Sequence, residues 1–175
     1  SARHSRWKTV LQVAHQVPSV SMMIESSQWG HFSPAVCMAS VRLLGTAIQM
    51  QIHTIDHHFK DTPQTIASFL IESGGELALI ETGPTSTGET LRNGIRELGF
   101  DPAEIRKVFV THIHLDHAGG AGGWGAQGAQ VYVHPRGARH LVDPSKLLAG
   151  AKMVYGDKTE EIWGEIVPIP AEQVT

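Results

Sequence analysis

Cysteine is almost missing from this chain. Cys37 is the only one among 175 residues, so no intrachain disulfide can form. Stability must come from a core, and a chain of this length can bury one in a single domain. A reducing compartment fits that cysteine usage, and a cytoplasmic location is expected. Long apolar runs are also missing. The nearest, Ala35 to Ile48, is short and contains Arg42, so no bilayer span is expected. The first residues lack the long apolar segment of a secretory signal. No block of like charge occurs, and the net charge is only −3. That charge is uneven. Residues 1–49 hold four Lys/Arg against one Asp/Glu, whereas residues 50–175 hold ten against sixteen. The acidic balance of the second part argues against a polyanionic substrate, so no nucleic-acid partner is expected.

What the chain does have is concentrated in Thr111-His112-Ile113-His114-Leu115-Asp116-His117-Ala118-Gly119-Gly120. It follows the apolar run Val108-Phe109-Val110, which reads as a buried strand led in by Lys107. His112 and His114 are two apart, so in an extended segment both side chains point the same way and can hold one metal ion. Asp116 and His117 come where the backbone must turn, and can face a second ion. Gly119 and Gly120 allow a sharp bend close to the site. Imidazole nitrogen and carboxylate oxygen suit zinc, and also iron or manganese.

The remaining chain supplies a scaffold. Residues 1–49 show no sustained pattern beyond Val10, Leu11, Val13 and Val17, which could face one side of a short helix. This part reads as an extension that is either disordered or outside the native coding sequence. His4, His15 and His31 read as solvated. The folded unit is expected over residues 50–175. Ile48, Met50 and Ile52 alternate with polar residues as a strand with one buried face. His57 and His58 follow it and read as loop residues, with a pocket role as the alternative. Thr65 to Glu72 and Leu77 to Thr82 form a hairpin through Ser73-Gly74-Gly75-Glu76. Glu81 ends it, where a carboxylate can orient a ligating histidine or simply precede a turn. Leu91, Ile95 and Leu98 stripe a helix that Ser86 or Thr87 can cap and Gly99 can end. Asp101 to Glu104 reads as a capping box with Pro at the first helical position. Trp124, in a glycine-rich stretch, could contact substrate or pack on the core. Gln130 to His134 reads as a strand, with His134 away from the motif in a structural or surface role. Helices are expected over Pro135 to Leu141, Pro144 to Tyr155 and Lys158 to Trp163, followed by an extended piece from Ile166.

His112-Ile113-His114-Leu115-Asp116-His117 resembles the signature of the metallo-β-lactamase superfamily. Phe69-Leu70-Ile71-Glu72, Leu79 to Pro84 and Val131-Tyr132-Val133-His134-Pro135 agree with it in the expected order. The likeness is strongest to glyoxalase II-like and general hydrolase branches. It implies an α+β fold, the αββα sandwich, with a metal site at one edge of the sheets. It also implies two zinc ions in the complete domain, His112 and His114 holding the first, Asp116 and His117 the second. A hydroxide between the ions would attack a thioester, ester or lactone carbonyl, and Asp116 could also take a proton from the nucleophile. The partner implied is a small acyl substrate.

The family's third metal-ligating histidine, bridging Asp and final His have no counterpart here, since no His follows His140 and no Asp follows Asp157. The chain therefore reads as the N-terminal part of the sandwich, truncated at its C-terminus. Self-association through an open sheet edge is expected. The alternatives are a non-catalytic fragment that binds metal weakly, or a mononuclear iron sulfur dioxygenase in the full-length parent.

Overall fold

A computed structural model describes residues 36–43 and 46–175, with side chains from Met50 onward. Residues 1–35, where the short helix and His4, His15 and His31 were placed, lie outside the described residues. One mixed sheet runs β1 (Val36–Leu43), β2 (Thr46–Asp56), β3 (Ala67–Ser73), β4 (Glu76–Ile80), β5 (Lys107–Phe109) and β6 (Gln130–Tyr132), in that spatial order. The first four strands are antiparallel neighbours, whereas β4, β5 and β6 are parallel. The β3–β4 hairpin expected from the sequence is present, with Ser73 paired to Glu76 across Gly74-Gly75.

Parallel strands need crossovers, and helices supply them. The described helices are α1 (Gly88–Glu97), α2 (Leu115–Ala118), α3 (Ala121–Ala126), α4 (Pro135–Val142), α5 (Ser145–Tyr155) and α6 (Thr159–Trp163). Leu91 and Ile95 of α1 are fully buried, as their spacing predicts. Each such side chain contributes about 1.5–3 kcal/mol by leaving water. Thr87 stands at the start of α1 but makes no side-chain cap there. Its hydroxyl bonds instead to the buried His57 ring, at 2.7 Å. Asp101 does cap the turn Pro102–Glu104, accepting the Ala103 amide at 2.8 Å. Trp124 is 3% exposed and packs in the core under the Arg92 guanidinium, which settles its role as packing.

The core lies on one face of the sheet, where Leu70, Leu79, Val108 and Val131 meet α1 and α3. On β2 the buried residues of that face are His53 and Ile55, not the Met50–Ile52 alternation. Both faces of β2 carry apolar groups, so alternation alone could not say which one the helices cover. The other face carries a row in register: Thr54 beside Phe69, Phe69 beside Ile80, Ile80 beside Phe109, and Phe109 beside Tyr132. Phe109 and Tyr132 stack at 4.6 Å. Phe109 is 39% exposed, so the run Val108-Phe109-Val110 is buried on one side only.

The edge beyond β6 is not bare. Thr175 donates to the Val131 carbonyl and accepts from the Val133 amide, both at 2.9 Å. At the other end, the expected boundary at Met50 falls inside β2, which pairs with β1 from Val36↔His53 to Leu43↔Thr46. Among the described residues no helix is long and apolar enough to cross a membrane.

Candidate metal centre

The motif leaves the sheet at the carboxyl end of β5. Val110 still donates to Tyr132, at 3.0 Å, and the chain then runs as a loop from Thr111 to His114 before α2 begins. His114 has extended backbone angles at the foot of that helix. His112 Nε2 and His114 Nδ1 consequently stand 3.2 Å apart. On α2, His117 Nε2 and Asp116 Oδ2 stand 3.3 Å apart. The His112 and His117 rings are adjacent, with centroids 4.1 Å apart. The four residues named from the sequence thus come together as two neighbouring donor pairs.

These separations suit metal ligation. Two donors at 2.0–2.1 Å from a tetrahedral ion lie about 3.3 Å from each other. Among the described residues, however, no group of three or more His, Cys, Asp or Glu side chains is assembled around one point. Each pair offers two donors. Burial and the neighbouring His117 and His114 rings lower the His112 pKa, favouring the neutral, ligating form.

Glu81 supports this corner from the end of β4. Its amide donates to the Phe109 carbonyl at 2.8 Å, and its backbone adopts φ 61°. A residue with a side chain rarely takes that left-handed conformation. The result is a carboxylate only 6% exposed, whose Oε1 accepts the Thr111 amide at 3.1 Å. Oε2 lies 3.4 Å from His117 Nδ1 but forms no hydrogen bond among the described residues. At that length and alignment the contact is electrostatic. The next residue, Thr82, grips the backbone of the same histidine: its amide and hydroxyl both donate to the His117 carbonyl, at 2.8 and 3.1 Å.

Behind Thr82, Gly83 has φ 61° and lies against the His57 ring, so a side chain there would overlap the imidazole. His57 is 1% exposed and is bonded to Ser68 at 2.6 Å and Thr87 at 2.7 Å. Burial pushes its pKa down to about 4. It lies in the loop that follows β2, as its position suggests, but it is buried and neutral rather than exposed, and hydroxyls satisfy both ring nitrogens beside the Glu81–Gly83 turn. The sequence signal for this was its polar partners, which only the fold brings together. His58 is exposed. His53, unremarked in the sequence, is buried edge-on against Phe100, and burial lowers its pKa.

His134 is the clearest correction. The sequence placed it away from the motif, yet it shares a cleft of about 390 Å3 with His112, Ile113, Val133, Arg136 and His140. Parallel pairing of β5 with β6 brings the two strand ends side by side. A larger hollow, about 520 Å3, opens on the far side of Thr111 over Phe109 and Tyr132 and holds none of the motif imidazoles.

The sheet, the crossovers and the histidine corner agree with a known family. Residues 61–173 match the model of the metallo-beta-lactamase superfamily, well over half the chain. The chain belongs to that superfamily. Over 103 residues it is 29% identical to the ribonuclease Z of Anoxybacillus flavithermus, covering 55% of this chain and 31% of that protein. Over 28 residues it is 57% identical to the N-acyl homoserine lactonase AttM of Rhizobium johnstonii, covering 16% and 11%. The native FEZ-1 metallo-beta-lactamase of Legionella gormanii superposes with a TM-score of 0.51 at 18% identity, over 67% of this chain and 41% of that one. This supports the α+β metallo-β-lactamase architecture, of which the chain supplies part. It spans less than a third of the length of the curated relatives it matches. The three relatives named above are a ribonuclease, a lactonase and a β-lactamase, so likeness to them does not choose a substrate.

Proposed function

We propose that the protein is a metal-dependent hydrolase of small acyl substrates, with a thioester first, then an ester or lactone. The observation that carries this is the two donor pairs, His112 with His114 and Asp116 with His117, set at ligand spacing on one corner. Zinc is the expected metal, with iron or manganese as substitutes. The metal would lower the pKa of water towards about 7 and polarise the carbonyl under attack. His112 and His114 would hold the first ion, and Asp116 and His117 the second. Asp116 additionally accepts a proton from the attacking water. Glu81 faces His117 Nδ1, which keeps the proton on that nitrogen and leaves Nε2 as the donor to metal.

The thioester comes first because the motif and its flanking segments resemble the glyoxalase II-like branch, a resemblance read from the sequence. Likeness to ribonuclease Z favours a phosphodiester as the second reading, and the acidic balance of residues 50–175 weighs against it. With two donors per pair, these 175 residues alone should bind zinc weakly and turn over slowly, because a loose site loses positioning. The test is metal content and hydrolysis of thioester, lactone and phosphodiester substrates, with His114→Ala and His117→Ala beside the parent. Both variants should lose metal and hydrolysis together. Undiminished metal content in both would reject the assignment.

A further inference from the structure

We propose that the cleft beside His112 binds an oxyanion group carried by the substrate, a carboxylate or a phosphate, and that Arg136 holds it. This rests on the hydrolase reading above and narrows its substrate class to anionic acyl compounds.

The cleft has the make-up of a small-ligand subsite. Its volume is about 390 Å3, its floor is Ile113 and Val133, and its polar lining is Arg136, His134, His140 and His112 with Thr111. No carboxylate lines it, although residues 50–175 carry more acidic than basic side chains. A few polar groups over an apolar floor are what orients a small ligand.

Existing hydrogen bonds fix which ring nitrogens of two of these imidazoles remain as donors. His134 Nδ1 accepts the Arg136 amide at 3.2 Å, which in a neutral ring leaves Nε2 as an N–H donor. Arg139 Nε donates to His140 Nε2 at 3.2 Å, which leaves Nδ1–H as the donor of that ring. The Arg136 guanidinium, by contrast, has no hydrogen bond or ion pair among the described residues. A guanidinium presents a planar fork matched to carboxylate and phosphate oxygens, and such charge-assisted bonds are the stronger kind.

The cleft is also held close to the histidine corner. Gly137 of α4 touches the motif loop so tightly that a Cβ there would meet Ile113 Cγ2 at 2.8 Å and Val133 Cγ2 at 3.0 Å. The glycine therefore lets α4 lie against the loop, with Arg136 and His112 lining one space. An anion on Arg136 places the rest of a small ligand along the His112 wall.

The test does not need turnover. The purified 175-residue chain is titrated at constant ionic strength with N-acetylglycine and, separately, with methyl phosphate. Backbone amides of the cleft and the arginine Nε–H signals are followed by NMR. Saturable shifts at Arg136, His134 and Ile113 are expected with at least one probe, and the probe that binds identifies the anion. Arg136→Gln should weaken that binding at least fivefold. Arg136→Lys should retain part of phosphate binding and lose more of carboxylate binding. Arg96→Gln, on the exposed side of α1 beside Glu89, removes the same charge elsewhere and should change nothing. Absence of saturable shifts with both probes overturns the proposal. So does equal weakening by Arg96→Gln and Arg136→Gln, which would mean general charge attraction. Anion binding together with undiminished metal content in His114→Ala and His117→Ala would overturn the hydrolase reading and leave the subsite standing.

Discussion

Glu81 Oε2 faces His117 Nδ1 at 3.4 Å while the other carboxylate oxygen holds the Thr111 amide. One side chain thereby joins the end of β4 to both ends of the histidine loop. It does so from a left-handed backbone conformation that costs about 1–2 kcal/mol for a residue with a Cβ.

Glu81→Gln should separate support of the loop from orientation of the histidine. The amide oxygen can still accept from Thr111, so the fold should persist by circular dichroism. Its neutral charge no longer favours the Nδ1–H form of His117, and zinc affinity should fall by about 10–100-fold. Chelator competition measures this. Unchanged affinity would remove Glu81 from the centre.

Acid should destabilise the fold through His57. Its pKa is about 4 when folded, against an ordinary 6.5. Between those values the unfolded chain binds more protons, so stability rises with pH. The contribution, about 3 kcal/mol, is full above pH 6.5 and is lost as the pH falls from there through about 4. Urea midpoints from pH 8 to pH 4 should show the loss, and His57→Gln should flatten the slope. An equally steep slope in that variant would assign the effect to other groups, His53 first among them.

A chain beginning at Met50 should be less stable than one beginning at Val36. The shorter chain loses β1 and the first residues of β2, and leaves Met50 to His53 of β2 without their partners on that side. A melting temperature lower by at least about 5 °C, with more light scattering, is expected. Equal melting temperatures would place the folded unit after Met50, as the sequence pattern suggests.

Much of the centre was readable from the sequence because its donors are local. His112, His114, Asp116 and His117 lie within six positions, and strand-then-turn geometry is enough to gather them. The β3–β4 hairpin and α1, α4, α5 and α6 were readable for a similar reason, since period and punctuation are local properties. Most of the misreadings involve partners distant in sequence. His57 looked like an exposed loop residue because Ser68 and Thr87, which satisfy its buried ring, belong to other elements. Thr87 looked like a cap until that ring claimed its hydroxyl. His134 joined the His112 cleft only through the β5–β6 register. The left-handed turn at Glu81 had no glycine to announce it.

The parallel step from β4 to β5 also sets a timetable. The β3–β4 hairpin closes through a two-residue turn and can form in microseconds. Thr82 and His117, which lock the histidine corner, are 35 residues apart in sequence and meet only after α1 has crossed the sheet. Such non-local closures come late, because their loop entropy is spent before any contact compensates it. During refolding, pulse-labelled amides at Ile71 and Ala78, which face each other across the hairpin, should therefore gain protection before that of Thr82, so the hairpin is a platform that waits for its histidine corner.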